Sequence, residues 1–204
     1  YGVNCYRAGG NTCFADTPQG QNREHCLFGA ARCVAVSPSD TAPALVALDA
    51  TMVIVGAKGQ REVKAEEFFV PPNIDIQRMT VLEKGEVLTA IKLPAEWAGA
   101  RFYFEKVADR NTWDFALVNV AAAMKVSGTA GSEKIDAIRI AAGAVQAIPR
   151  RLTVVEEVVK GQPKSAETAA LAGQSAVRGA TPLNFNHFKI PLLQNLVTRA
   201  IRDA

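Results

Sequence analysis

The sequence lacks most of the signals that assign a function at sight. No apolar run approaches the roughly twenty residues that cross a bilayer, so no membrane span is predicted. No basic segment followed by an apolar one opens the chain, as a signal peptide would. A Walker-type phosphate loop and a GxGxxG dinucleotide fingerprint are absent. The chain has only two histidines, which suggest no Ser/His/Asp arrangement.

The sequence also has little excess of charge of either sign. The 23 lysines and arginines nearly balance the 20 acidic residues, which leaves a formal net charge of +3. No block of basic residues stands out, and the pair Arg150-Arg151 is typical of a solvated turn. Nucleic acid is therefore not an expected partner.

All four cysteines lie in the first 33 residues, at positions 5, 13, 26 and 33. A disulfide framework is typical of small domains with little core, whereas this chain has 204 residues, 49% of them hydrophobic. Structural zinc usually takes cysteines two to four residues apart. Here the intervals are seven, twelve and six intervening residues, and no Cys-x-x-Cys occurs. Disulfides and zinc are both weakly supported.

An iron–sulfur cluster fits these intervals better, because it accepts thiolates from a long loop. Gly9, Gly10 and Gly29 would let the backbone approach the sulfur atoms and donate N–H groups to them. Four buried free thiols remain a further interpretation, since free cysteine packs as a small hydrophobe. The intervals alone do not decide among these possibilities.

The hydrophobic pattern predicts an α+β fold in two parts. Residues 1–37 read as a long loop, and Pro38-Ser39-Asp40 begins a helix. Either Ser39 or Asp40 is a suitable cap, and a cap is the role that the sequence favours for Asp40. A hairpin follows over residues 51–57 and 61–64, then a strand over residues 87–93. Residues 94–99, which include Trp97, form the best internal boundary.

Beyond that boundary we expect strands over residues 101–107, 115–126 and 134–145. Thr153 and Glu156 have the spacing of a capping box at the start of a short helix. Two further helices are expected over residues 165–178 and 190–201. A three-stranded sheet followed by three helices makes the second part an α+β module of about a hundred residues.

Three stretches of the first forty residues resemble one known family. They are Gly9-Gly10-Asn11-Thr12-Cys13-Phe14-Ala15, Asn22-Arg23-Glu24-His25, and Cys33-Val34-Ala35-Val36-Ser37-Pro38-Ser39-Asp40. The family is that of the flavin-binding subunits of molybdenum hydroxylases, which include xanthine dehydrogenase and aldehyde oxidoreductase. The chain most resembles the bacterial three-subunit aldehyde oxidoreductases, whose flavin subunit carries a 4Fe-4S cluster. The likeness continues through residues 45–50, 85–89 and 106–110.

The resemblance implies a specific fold. Residues 1–97 would be the C-terminal part of a PCMH/vanillyl-alcohol-oxidase-type FAD-binding domain, with the iron–sulfur loop at residues 1–37. Residues 98–204 would be a module like the C-terminal domain of the carbon monoxide dehydrogenase flavoprotein. The family's main diphosphate-binding glycine loops would lie upstream, in an N-terminal part that is missing from this sequence.

The same resemblance implies site residues. Asp40, Leu88 and Lys106 match positions that contact the flavin in the family. Cys5, Cys13 and Cys33 match ligands of the 4Fe-4S cluster. The family's remaining ligand lies a few residues before the position of Cys5, where this chain has none; Cys26 is a possible replacement, and loss of an upstream segment is the favoured explanation.

The function implied is electron transfer. The chain would be the FAD-binding subunit of a molybdopterin-dependent aldehyde or xanthine-type oxidoreductase. A large partner subunit would hold molybdopterin and oxidise the substrate, and a small one would hold 2Fe-2S clusters, in a heterotrimer or a dimer of heterotrimers. The location would be periplasmic, by export with a partner, or cytoplasmic. The alternatives are a zinc-braced assembly module without redox activity and a ligand-binding α/β module with free thiols.

Overall fold

A computed structural model describes residues 4–204 of the chain. The first part is built on a small antiparallel sheet in the order β2-β1-β3. Its elements are α1 (Thr41–Ala47), β1 (Thr51–Gly56), β2 (Gly59–Lys64), α2 (Ala65–Phe68) and β3 (Val87–Lys92). The predicted hairpin is confirmed, with Gly56 opposite Gly59 at its turn. Gly59 has a φ of +106°, which glycine adopts without strain.

The segment before α1 is largely irregular. Residues 4–37, named the cysteine loop below, contain no strand and two short 3-10 turns, Tyr6–Ala8 and Phe14–Asp16. The first three residues of the predicted loop lie outside the described part of the chain. Leu27 and Phe28 are buried and belong to the large core of the second part. The loop is therefore packed onto the neighbouring sheet.

The second part is an antiparallel sheet in the order β4-β5-β6-β7, followed by three helices. Its elements are β4 (Arg101–Val107), β5 (Val118–Ser127), β6 (Lys134–Gly143), β7 (Arg150–Arg151), α3 (Thr153–Val159), α4 (Ala166–Ala176) and α5 (Lys189–Asp203). The helices and one face of the sheet enclose the large core, with Met124, Ile140 and Leu196 fully buried. The prediction of an α+β fold is confirmed.

Helix α1 contacts strands β5 and β6 of the second sheet. Side chains there are small, and Ala121 and Ala141 are almost completely buried. At Gly143 a Cβ would lie 2.7 Å from the Pro43 side chain and 2.1 Å from Asn119 Oδ1. Glycine is therefore required for α1 to approach the sheet this closely. This approach brings the start of α1 next to the end of β4.

Two local predictions were wrong. The second sheet has a fourth strand, the two-residue β7, which was too short to show a period. The Thr153/Glu156 capping box does not form, since Leu152 precedes the helix and no side chain caps it. The Glu156 carboxylate instead accepts hydrogen bonds from the Ile140 N–H and from Arg151, because a cation and a strand N–H lie within its reach. No helix within residues 4–204 has the length and apolarity that crossing a membrane requires.

Candidate functional site

An ion pair joins the two parts of the chain. The Nζ of Lys106, near the end of β4, lies 2.6 Å from Oδ2 of Asp40, just before α1. The Asn119 side-chain amide donates to the other oxygen of Asp40 at 3.0 Å. The Lys106 ammonium also donates to the backbone carbonyl of Asp114. Two residues singled out from the sequence therefore meet, and both remain partly accessible to solvent.

Asp40 does not cap helix α1, so the role that the sequence favoured for it is wrong. Its side chain makes no capping hydrogen bond. Ser39 Oγ accepts the N–H of Ala42 at 3.1 Å instead. The ammonium of Lys106 and the amide of Asn119 both engage the carboxylate of Asp40, and charge-assisted hydrogen bonds of this kind are the stronger ones.

The ion pair opens onto a cavity of about 900 Å³. Asp40 and Lys106 line it, together with the segment 108–115, named the cavity loop below, of which all residues except Asp109 line the cavity. Within that loop the Arg110 guanidinium lies 3.2 Å from the Asp114 carboxylate and lowers the pKa of that carboxyl. The cavity thus combines paired charges with aromatic rings, a lining suited to a planar polar ligand.

The aromatic residues of the cavity loop face solvent. Trp113 is fully exposed and Phe115 is 69% exposed. Trp113 also has a φ of +30°, a region that bulky residues rarely adopt. Such a conformation persists only where the surrounding structure holds it in place.

Leu88 lies elsewhere. It faces Ile54 across the first sheet and packs, half-buried, against the small core formed by Val46, Met52 and Phe68. It is not among the residues that line the cavity. The structure therefore brings Asp40 and Lys106 together but places Leu88 as a core-packing leucine on the neighbouring sheet.

The four cysteines are free, and they differ in exposure. Cys5 and Cys13 are half-buried, whereas Cys26 and Cys33 are buried. The Arg7 guanidinium donates to Cys33 Sγ at 3.3 Å. Burial and the neighbouring Cys33 raise the pKa of Cys26 to about 11.

The backbone around Cys5 is tightly folded. The Cys5 carbonyl accepts the N–H groups of Ala8 and Gly10, at 3.1 and 2.8 Å. A Cβ at Gly10 would lie 2.8 Å from the Cys5 nitrogen. Gly10 therefore packs closely against the Cys5 backbone, and its approach to the sulfur atoms stays a prediction.

Within residues 4–204 no three His, Cys, Asp or Glu side chains are placed to hold a single metal ion. A cluster is wider than an ion and is bound by thiolates. The donor set, thiols on one loop with an arginine beside Cys33, suits that chemistry in residue type.

The buried Lys189 was missed from the sequence. It is 0% exposed, and its ammonium donates to the carbonyls of Glu24 and His25, each at 3.0 Å, and to that of Ala144. Burial lowers the pKa of Lys189 to about 8. Its position at the start of an amphipathic helix gave no signal, because lysines are ordinarily exposed. Lys189 fastens the cysteine loop to the second part of the chain.

Comparison with protein families finds two matches. Residues 6–96 match the family described as the FAD binding domain in molybdopterin dehydrogenase. Residues 103–204 match the family described as the CO dehydrogenase flavoprotein C-terminal domain.

The chain is also similar to individual proteins of this kind. The FAD-binding subunit PaoB of an Escherichia coli aldehyde oxidoreductase is 29% identical over 91% of this chain and 54% of its own length. The glyceraldehyde dehydrogenase medium chain of Sulfolobus acidocaldarius is 36% identical over 70% of this chain and 47% of its own. In the crystal structure of quinoline 2-oxidoreductase from Pseudomonas putida 86, one chain matches with a TM-score of 0.69 and 26% identity, over 90% of this chain and 59% of that one. The chain spans about half the length of the curated relatives it matches.

Proposed function

Because the chain belongs to the flavin-binding subunits of the molybdenum hydroxylase family, we propose that it binds FAD at the cavity beside Asp40 and Lys106 and transfers electrons. The observation that supports this proposal is the ion pair between Lys106 and Asp40 at 2.6 Å. It forms only when the two parts of the chain pack together, because each part supplies one of the two residues. FAD, when bound, supplies the one- and two-electron chemistry. The residues described below bind and orient it.

Lys106 has the central electrostatic role. Its ammonium is held by Asp40 and by the Asp114 carbonyl, so its position does not depend on solvent. A fixed cation beside a flavin's pyrimidine side stabilises negative charge on the reduced ring. Asp40, held by Lys106 and Asn119, offers carboxylate oxygens to hydrogen-bond donors of the cofactor.

Leu88 keeps its proposed place against the ring system, on the family resemblance alone. β3 is an edge strand within the described sheet, in the order β2-β1-β3. Leu88 is only half-buried, so part of its side chain remains accessible to a ligand. The proposal also keeps residues 1–97 as the flavin-binding part and residues 98–204 as the C-terminal module, divided after the 3-10 turn Ala95–Trp97.

The partners are proposed from the relatives. PaoB is named as the FAD-binding subunit of an aldehyde oxidoreductase, and the Sulfolobus protein as the medium chain of a glyceraldehyde dehydrogenase. By analogy, a large molybdopterin subunit would oxidise an aldehyde, or a xanthine-type heterocycle, and a small subunit would hold 2Fe-2S clusters. Electrons would pass from molybdenum through those clusters to FAD in this chain and then to an external acceptor.

A 4Fe-4S cluster bound by Cys5, Cys13 and Cys33 is a second element of the proposal. The hydrogen bond from Arg7 to Cys33 and the tight backbone at Cys5 support it. Cys26 is left out of the proposed ligand set, because its environment raises the pKa of its thiol to about 11.

The test is metal and flavin analysis of the protein isolated without oxygen, together with its accompanying subunits. EPR spectra are recorded after reduction with dithionite. We expect one FAD, iron beyond that of two 2Fe-2S clusters, and a 4Fe-4S signal. If FAD is found without the extra iron, the 4Fe-4S cluster assignment is wrong and the flavin assignment still holds. Zinc without flavin or iron would overturn both and favour a zinc-braced assembly module.

A further inference from the structure

An exposed arginine joins the cysteine loop to the cavity loop. Arg23 donates two parallel hydrogen bonds to Asp109, from Nη1 to Oδ2 at 2.7 Å and from Nη2 to Oδ1 at 2.9 Å. Its guanidinium also lies over the ring of Phe188, 5.1 Å from the centroid. A bidentate contact fixes orientation as well as distance, since the planar guanidinium matches the carboxylate.

The Arg23 side of this contact is firmly anchored. The next two residues, Glu24 and His25, offer their carbonyls to the buried Lys189 ammonium. On the other side, Asn22 accepts the Phe185 N–H at 3.0 Å through its side-chain oxygen. Arg23 therefore projects from backbone that α5 and its preceding turn hold in place.

Asp109, the other partner in this contact, lies in the cavity loop, whose conformation must be held by neighbouring structure. Asp109 lies three residues after Lys106 in the same chain segment, and the carbonyl of Asp114 in that loop accepts from the Lys106 ammonium. Trp113 adopts its positive φ in the same loop. A strained, solvent-facing loop keeps one shape only when neighbouring structure determines it.

We propose that Arg23 is a positioning residue for the flavin site. Through its contact with Asp109 it fixes the cavity loop to the cysteine loop, and the cavity loop in turn sets the environment of Lys106. This inference rests on the proposed function, because it assigns the cavity to FAD. The order of the cysteine loop would then influence flavin binding, and damage to that loop would weaken the flavin site.

The expected effect is local and modest. Both side chains are about half exposed, and exposed ion pairs contribute little to global stability. Flavin binding should weaken by about two- to fivefold when the pair is broken, the range that such a pair supports. Thermal stability should change little.

The experiment uses the complete natural polypeptide, purified with the subunits that accompany it. The variants are Arg23→Gln, Asp109→Asn and the double variant, with Arg23→Lys to keep the charge but lose the fork. FAD affinity is measured by fluorescence on reloading, and the flavin midpoint potential by titration. The matched control is Arg32→Gln, since Arg32 lies in the same loop and stacks on Tyr6 at 5.0 Å.

We expect both single variants and the double variant to weaken FAD binding by a similar factor and to shift the potential, because all three break the Arg23–Asp109 contact. Arg23→Lys should fall between them and the unmodified protein, and Arg32→Gln should have no effect. Unchanged affinity and potential in Arg23→Gln and Asp109→Asn would overturn the proposal, as would additive effects. A protein that binds no FAD before substitution would instead refute the proposed function, so the two failures are distinguishable.

Discussion

Asp40 and Lys106 lie 66 residues apart in sequence and 2.6 Å apart in the structure. Asp40 precedes the first helix, and Lys106 is the penultimate residue of the first strand of the second sheet. Their contact depends on Gly143, which lets α1 lie close to that sheet. The chemistry assigned to the cavity therefore depends on how the two parts pack.

Replacing Lys106 with methionine should weaken FAD binding by about tenfold or more, because a hydrogen bond from a charged group contributes roughly 1.5–3 kcal/mol. The flavin midpoint potential should become more negative, since the reduced ring loses a neighbouring cation. Fluorescence titration and potentiometry measure the two effects. Lys92→Met is the control, because Lys92 pairs with Glu62 within the first sheet. Equal changes in both variants would contradict the assignment.

Substitutions can distinguish the proposed cluster ligands from Cys26. Cys13→Ser should remove the iron of the 4Fe-4S cluster, because a serine hydroxyl is not a thiolate donor. Cys26→Ser should keep that iron, since Cys26 is buried and poorly suited to ionise. Iron per polypeptide and the EPR signal are the measurements. Full iron in Cys13→Ser, or loss in Cys26→Ser alone, would reverse the assignment.

Lys189→Met should destabilise the protein by about 2–4 kcal/mol, because three carbonyls lose their donor inside the protein. The cysteine loop should loosen first, and its amides should exchange faster with deuterium than those of β5. The control Lys160→Met changes an exposed lysine at the end of α3 and should be nearly neutral. Urea unfolding and hydrogen exchange test this; a neutral Lys189→Met would mean that other contacts hold the loop.

Acid should weaken the first sheet through Glu86. The Arg61 guanidinium and the Glu83 N–H lower the pKa of Glu86 to about 2, from 4.5. A carboxyl with a depressed pKa in the folded state stabilises it above about pH 4.5, and that contribution is lost as pH falls from there toward 2. The stability difference between the unmodified protein and Glu86→Gln should therefore shrink over that window, as measured by urea unfolding at several pH values. A difference independent of pH would exclude this linkage.

The sequence predictions were accurate where the structure depends on interactions between residues close in sequence, and they failed where it depends on contacts between different elements. The β1–β2 hairpin was predicted to within two residues and strand β4 with the bounds observed, because alternation and turn glycines are local signals. The Ser39 cap is confirmed. Asp40 and the Thr153/Glu156 pair do not cap, because the carboxylates of Asp40 and Glu156 bond to groups outside their own helices. Glu156 bonds to strand β6 and Arg151 instead of to its own helix. Asp40 bonds to Lys106 and Asn119, and Ser39 caps α1.

The sequence by itself determined the family, the α+β fold, and the grouping of four cysteines and four glycines in one loop, since these depend on local pattern. Only the tertiary structure decided which charges meet. It paired Lys106 with Asp40 and Arg23 with Asp109, and it buried Lys189 against backbone carbonyls. The reason is physical: periodicity reports which side of an element is buried, whereas the partner of a charged group depends on the packing of elements distant in sequence.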